Sequence, residues 1–101
     1  MRLLVMFDLP VETAKQRKAY RSFRKYLVQN GFVMMQESIY TKLAVNSSAS
    51  HAIIGNLRKH KPAEGLVQVL QVTEKQFSNM EYIVGEARSE VLDTDERLVI
   101  L

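Results

Sequence analysis

Asp8 is the residue that the sequence singles out for chemistry. It follows the apolar stretch "VMF" of a predicted strand, which Pro10 ends two residues later. An aspartate beside a proline-containing turn commonly has only a turn or capping role. A carboxylate at the end of a strand also suits Mg²⁺, which binds one or two carboxylates and completes its octahedron with water and phosphate oxygens. Such a site can activate water for attack on a phosphodiester. One aspartate is a weak motif, so the residues alone leave both roles open.

A metal at Asp8 needs further ligands, and the sequence offers few of them nearby. Glu12 is close enough in the chain to support the site, although an acid at a helix N-terminus is also favoured for structural reasons. His51 and His60 form no metal-binding spacing with a carboxylate. If the first strands of two protomers approach a two-fold axis, the second Asp8 supplies the missing carboxylate. If Asp8 is a catalytic metal ligand, we therefore expect it to share Mg²⁺ with its symmetry mate.

The first half of the chain is strongly basic. Residues 1–61 contain eleven Lys or Arg against three acids, a net charge of +8, whereas residues 62–101 contain three against eight, a net charge of −5. No acid occurs between Thr13 and Asn30, although solvated helix faces usually mix signs to form i,i+4 pairs. The cations of this helix are Lys15, Arg17, Lys18, Arg21, Arg24 and Lys25. Such a surface predicts nucleic-acid binding.

A second basic cluster, Arg58, Lys59 and Lys61, ends the second predicted helix. Cations are favoured at a helix C-terminus by its dipole, so this cluster alone decides nothing. In a dimer, however, both clusters are duplicated and can follow the backbone of a duplex. Recognition would then be electrostatic and sensitive to salt, with little reading of base sequence.

Composition restricts the class of protein. A chain of 101 residues with 47% hydrophobic and 25% charged residues is typical of one globular domain, which we assign to residues 1–101. The absence of cysteine excludes disulfides and thiolate metal sites. The first strand begins too early to leave room for a signal peptide, and no apolar run is long enough to cross a bilayer. We expect a cytoplasmic protein without membrane contact.

The hydrophobic pattern predicts an α+β fold of the ferredoxin-like, split βαβ type, in the order βαββαβ, with both helices on one face of a sheet. Thr13 and Gln16 form a candidate capping box for the first helix, and Gly31 is suited to its end. A serine is expected to cap the second helix, and a further strand is expected at residues 80–84. The predicted elements are strands 3–7, 32–35, 38–44 and 66–72 and helices 13–30 and 49–60.

Two features predict a homodimer. The first strand is apolar on both faces, yet two helices can cover only one of them. The tail, residues 86–101, ends in "RLVIL", and an apolar terminal strand left as a free edge would aggregate. We therefore predict an extra C-terminal strand at the dimer or partner interface, formed by Leu98, Val99, Ile100 and Leu101.

These residues resemble a known family. A strand ending in "FDLP", a basic first helix and "QESIY" at the third strand are similar, along essentially the whole chain, to the small CRISPR-associated ferredoxin-fold protein of the spacer-acquisition machinery. The likeness is to the form found in type II systems. It implies a homodimer that bridges two dimers of the adaptation integrase and holds double-stranded DNA on its basic surface. It also implies a metal-dependent endonuclease acting on RNA or DNA, with Asp8 as the Mg²⁺ ligand.

Two alternatives remain open at this point. The first is an RNA-binding module on the same fold, which stacks bases on aromatic side chains of its central strands. The third strand here offers only Tyr40 for that purpose. The second is a dimeric, metabolite-binding regulatory domain, which would not need an unopposed basic helix.

Overall fold

The computed structural model describes residues 1–86. The elements are β1 Arg2–Asp8, α1 Ala14–Gln29, β2 Val33–Gln36, β3 Ile39–Leu43, α2 Ser47–Lys59, β4 Leu66–Val72 and α3 Glu74–Ser78. The four strands form an antiparallel sheet with strand order β2-β3-β1-β4. This order confirms the predicted α+β, split βαβ fold, to which residues 1–86 add the short helix α3 after the last strand.

The ends of the helices are set by side chains that replace missing backbone hydrogen bonds. Thr13 and Gln16 form the predicted capping box at α1, with the Thr13 hydroxyl accepting from the Gln16 amide at 3.0 Å. Gly31 follows α1 with φ of +85°, as predicted. The expected serine cap of α2 is wrong. Asn46 caps that helix instead, because its side-chain oxygen reaches the Ala49 amide at 2.8 Å.

The core lies between the sheet and the two long helices. Leu3 and Val5 of β1 are fully buried, as are Leu27 of α1 and Tyr40 of β3. Phe7 joins them, and its ring meets that of Phe23 edge-on at 5.3 Å between centroids. This apolar contact fixes α1 over β1 and β3, which places the basic side of α1 on the outside.

Residues 1–86 leave the opposite face of the sheet uncovered. Leu4 and Met6 of β1 alternate with the buried residues and are half-buried. The apolar side chains exposed around them reach 52% at Leu43, 53% at Leu66 and 50% at Leu70. Burial of β1 on both faces, which the unbroken apolar run suggested, is thus not achieved by residues 1–86 alone. We call this surface the open sheet face, formed by Leu4, Met6, Val33, Leu43, Leu66 and Leu70.

The predicted strand at residues 80–84 is wrong for the described chain. This segment pairs with no strand of residues 1–86, and a strand needs a neighbour to satisfy its backbone groups. Ile83 and Val84 are 88% and 91% exposed there. The predicted interface at Leu98, Val99, Ile100 and Leu101 lies outside the described residues. Within the described part, no helix is long and apolar enough to cross a membrane.

Candidate metal centre and nucleic-acid interface

Asp8 is the last residue of β1 and lies opposite Leu66 of β4 in the register of the sheet. It is exposed, and the two-residue period of a strand puts it on the open sheet face with Leu4 and Met6. The ion pair found within residues 1–86 joins Arg2 and Glu74 at 2.8 Å, so it does not involve Asp8. The Asp8 carboxylate is therefore presented at the rim of an apolar surface.

The backbone that carries Asp8 is anchored by the side chain before it. The Phe7 ring packs against Phe23, stacks on Tyr40 at 5.8 Å and meets Tyr20 edge-on at 6.1 Å between centroids. Aromatic pairs of this kind each contribute about 0.5–1.5 kcal/mol beyond their buried area. The end of β1 is thus held from the helix side, while Asp8 faces the other way.

Gly65, directly before β4, lets the backbone pass close to the end of β1 at Asp8 and Leu9. This role was not predicted from the sequence. The φ of Gly65 is +97°, and a Cβ placed on it would lie 2.8 Å from the Asp8 carbonyl oxygen and 2.8 Å from Leu9 Cδ2. Only glycine combines this backbone conformation with so close an approach. A glycine directly before a predicted strand, in "AEGLV", is the signal that would have pointed to it.

Residues 1–86 supply few metal ligands around Asp8. Nowhere in residues 1–86 do three His, Cys, Asp or Glu side chains gather closely enough to hold a metal ion. Glu12 is exposed, and its backbone amide donates to the Gln16 side chain at 2.9 Å. A single exposed carboxylate fits Mg²⁺, which keeps most of its water, and fits poorly a metal that needs a protein cage. Ligands beyond those of residues 1–86 would be water, phosphate or a further polypeptide segment.

Two of the six cations of α1 are engaged within the fold. Arg17 Nη1 donates to the carbonyl oxygens of Val11 and Glu12 at 3.1 and 3.0 Å, which closes the loop after β1. Arg24 Nε donates to the buried Tyr40 hydroxyl at 3.0 Å, and this hydrogen bond raises the pKa of the Arg24 guanidinium. No local pattern in the sequence indicated that these arginines have structural partners.

The remaining cations of α1 form a continuous exposed surface. They lie on the side of the helix turned away from the core residues Phe23 and Leu27. No acid interrupts them along the helix. We call this the α1 basic surface, formed by Lys15, Lys18, Arg21 and Lys25, all of which are exposed.

The structure brings the second basic cluster beside the first. Tyr26 of α1 stacks on His60, the residue that follows α2, with 4.3 Å between ring centroids. Arg58, Lys59 and Lys61 flank His60 and are exposed. The two clusters that the sequence predicted separately therefore adjoin on neighbouring helices and extend one positive surface.

A family model described as "CRISPR associated protein Cas2" matches residues 1–80. The chain belongs to the Cas2 family. It is 54% identical to the CRISPR-associated endoribonuclease Cas2 of Treponema denticola over 101 residues, the full length of both chains. It is 48% identical to the protein of the same name from Streptococcus mutans serotype c strain UA159, over 100% of this chain and 93% of the relative.

Solved structures of the Cas2 family share the fold. The crystal structure of Streptococcus pyogenes Cas2 at pH 6.5 superposes with a TM-score of 0.62 at 21% sequence identity. The match covers 83% of this chain and 100% of the other. It confirms the architecture of a Cas2 family member, and the sites have to be argued from the residues of this chain.

Proposed function

We propose that this Cas2 family member is a homodimeric DNA-binding component of CRISPR spacer acquisition, which holds duplex DNA between dimers of the adaptation integrase. The observation that carries the proposal is the α1 basic surface, whose cations are exposed and unopposed along the helix. A surface of this kind attracts a polyanion through release of condensed counterions. It makes no provision for reading base sequence, which suits a scaffold that accepts fragments of any sequence.

The open sheet face supports the dimer. Half-exposed leucines at positions 43, 66 and 70 surround Leu4 and Met6, and a contiguous apolar patch of this kind usually marks an interaction surface. A second copy of the same face is a self-complementary cover for it, as two-fold symmetry requires. Packing two sheets face to face also removes the apolar surface that residues 1–86 leave exposed. The predicted contact of the terminal strand with its neighbour remains part of this proposal.

The proposal includes Mg²⁺-dependent hydrolysis of phosphodiester bonds at Asp8. Asp8 lies on the open sheet face, so packing of two such faces brings two Asp8 carboxylates into one interface. When bound, Mg²⁺ supplies a Lewis acid for the phosphate and lowers the pKa of a bound water. The residues of the chain hold the metal through Asp8 and fix its strand through Phe7 and Gly65. The names of the relatives, which specify an endoribonuclease, make RNA the second substrate to test.

The alternative function, an RNA-binding module that stacks bases on the sheet, depends on Tyr40. Tyr40 is fully buried, stacks on Phe7 and accepts a hydrogen bond from Arg24, so its ring is unavailable to a base. An RNA substrate would therefore be bound through its backbone. A metabolite-binding dimer gives no reason for the α1 basic surface.

The first test is a titration of short duplex DNA at several salt concentrations, with and without Mg²⁺, following retention and cleavage together. Wild type should bind with a slope of log affinity on log salt of about −0.9 for each phosphate contacted. Asp8→Ala and Asp8→Asn should retain the duplex and lose cleavage. Cleavage that survives in both variants would remove Asp8 from the reaction. The same series with single-stranded RNA separates the two substrates.

The second test reverses charge on the α1 basic surface while sparing the structural arginines. Lys18→Glu, Arg21→Glu and Lys25→Glu together should abolish retention of the duplex and leave the dimer intact in sedimentation. Lys75→Glu, on α3, is the matched control for a lost surface cation and should bind like wild type. Retention by the triple variant would contradict the proposed DNA surface.

A further inference from the structure

A shallow cleft opens between α1 and α2 beside the α1 basic surface. It is lined by Ser22, Lys25, Tyr26 and Gln29 from α1 and by Asn56 and His60 from the end of α2. Each of these side chains carries a hydrogen-bonding group, and no carboxylate of residues 1–86 lines the cleft. We call it the interhelix cleft. Its lining suits an anionic, strongly hydrogen-bonding group better than an apolar ligand.

The imidazole of His60 is held in one orientation at this cleft. Its ring stacks on Tyr26 with an interplanar angle of 18°, and its Nδ1 lies 2.9 Å from the Asn56 carbonyl oxygen. A carbonyl oxygen can only accept, so Nδ1 carries the hydrogen and donates it. This fixes the tautomer and leaves Nε2 as the ring atom that can bind a ligand.

We propose that the interhelix cleft binds one backbone phosphate of duplex DNA, held by Lys25 and by the imidazolium of His60. The inference rests on the proposed function, since it assigns a second point of contact to the same DNA. The two side chains come from different helices, so the phosphate would be clamped between α1 and the end of α2. Neither the α1 basic surface nor the cluster at the end of α2 provides this geometry alone.

Binding at this cleft is coupled to uptake of a proton. With Nδ1 already donating, a neutral His60 presents a lone pair at Nε2, which repels a phosphate oxygen, whereas the imidazolium presents a second N–H. The titratable neighbours are Lys25 and Tyr26 on α1 and Lys59 and Lys61 on either side in the chain. Burial raises the pKa of Tyr26, so its phenol stays neutral.

The test follows the two histidines of the chain by nuclear magnetic resonance while short duplex DNA is added to the full-length protein. The Cε1–Hε1 signal of His60 should shift, and that of His51, which is exposed on α2, should stay in place. In parallel, duplex affinity is measured at pH 6 and pH 8 for wild type, His60→Gln and His51→Gln. At pH 6, His60→Gln should lose about tenfold in affinity, as for one charge-assisted hydrogen bond, and His51→Gln should lose nothing.

The outcomes separate this inference from the proposed function. Wild type and His51→Gln should bind more weakly at pH 8, and His60→Gln should lack most of that change. A His60 signal that stays in place while the duplex binds, or equal affinities of the two variants, overturns the cleft and leaves the α1 basic surface standing. If wild type does not bind the duplex, the proposed function fails, and titration with inorganic phosphate then decides the cleft. If the His60 signal does not shift during the titration with inorganic phosphate, the proposed phosphate site in the interhelix cleft is wrong.

Discussion

Gly65→Ala tests whether the end of β1 is held in place from β4. The change adds one methyl group at a residue with φ of +97°, where the new Cβ would meet the Asp8 carbonyl oxygen and Leu9 Cδ2, each at 2.8 Å, and Leu9 Cα at 3.1 Å. Two of these three atoms belong to the backbone, so they cannot rotate away. Either alanine adopts an unfavourable conformation or the chain around Asp8 moves.

The size of the effect follows from two terms. A left-handed backbone costs a residue with a Cβ about 1–2 kcal/mol. Overpacking against atoms that cannot move aside costs about 1–3 kcal/mol. The expected loss in free energy of unfolding is therefore about 2–5 kcal/mol. Since 1 kcal/mol shifts Tm by about 4–8 °C in a domain of this size, Tm should fall by roughly 10 °C or more.

The assay is thermal unfolding at one fixed protein concentration, because the Tm of a dimer depends on concentration. Gly55→Ala is the matched control. Gly55 lies inside α2, has no positive φ, and a Cβ there meets nothing within 4 Å. Alanine in a helix interior should stabilise the protein by about 0.5–1 kcal/mol relative to glycine. The same change should therefore act with opposite sign at the two glycines.

Activity supplies a second readout of the same variant. At a temperature where Gly65→Ala is folded, Mg²⁺-dependent cleavage should fall much further than duplex retention, because the new Cβ meets atoms of Asp8 and Leu9 and no cation of the α1 basic surface. A Tm equal to that of wild type would refute the packing argument. Full cleavage by a destabilised protein would show that the position of the Asp8 backbone does not matter to the reaction.

Three further predictions concern the surfaces and the core. Leu70→Asp should convert the dimer to a monomer in sedimentation velocity. The control Val45→Asp, at a residue that is 83% exposed and lies outside the sheet, should remain a dimer. If both variants are dimers, the proposed interface is wrong. Tyr40→Phe should cost about 1 kcal/mol in urea unfolding, because the Arg24 donor loses its acceptor while the ring stack is kept; no loss would contradict that contact. The hydrogen bond from Arg2 lowers the pKa of the Glu74 carboxyl below its ordinary value of 4.5. The stabilisation that this ion pair contributes is therefore complete above pH 4.5, and it is lost as the pH falls through the lower pKa of the folded state. Glu74→Gln should therefore unfold at less urea than wild type at pH 7, and this gap should narrow as the pH is lowered below 4.5; a gap that stays constant would contradict the pair.

The sequence by itself determined the order of strands and helices, the ends of α1 and the charge of the surface around it. Hydrophobic periods of two and of three to four residues distinguish strands from helices, because each reflects which side chains share a face. Helix α1 was predicted from Thr13, Gln16 and Gly31 because capping and left-handed ends depend on residues close in the chain. The charge of the surface around α1 is likewise a property of composition, which folding cannot reverse.

Only the tertiary structure decided which of these residues are available. Arg24 and Tyr40 are far apart in the chain, and their hydrogen bond forms because α1 packs over β3. Gly65 acquires its role from the register of β4 on β1, which brings it against Asp8. Residues 80–84 have a strand-like sequence and no partner among residues 1–86, since strand pairing is a property of neighbours. Contacts between distant segments depend on the packing of whole elements, which local patterns do not encode.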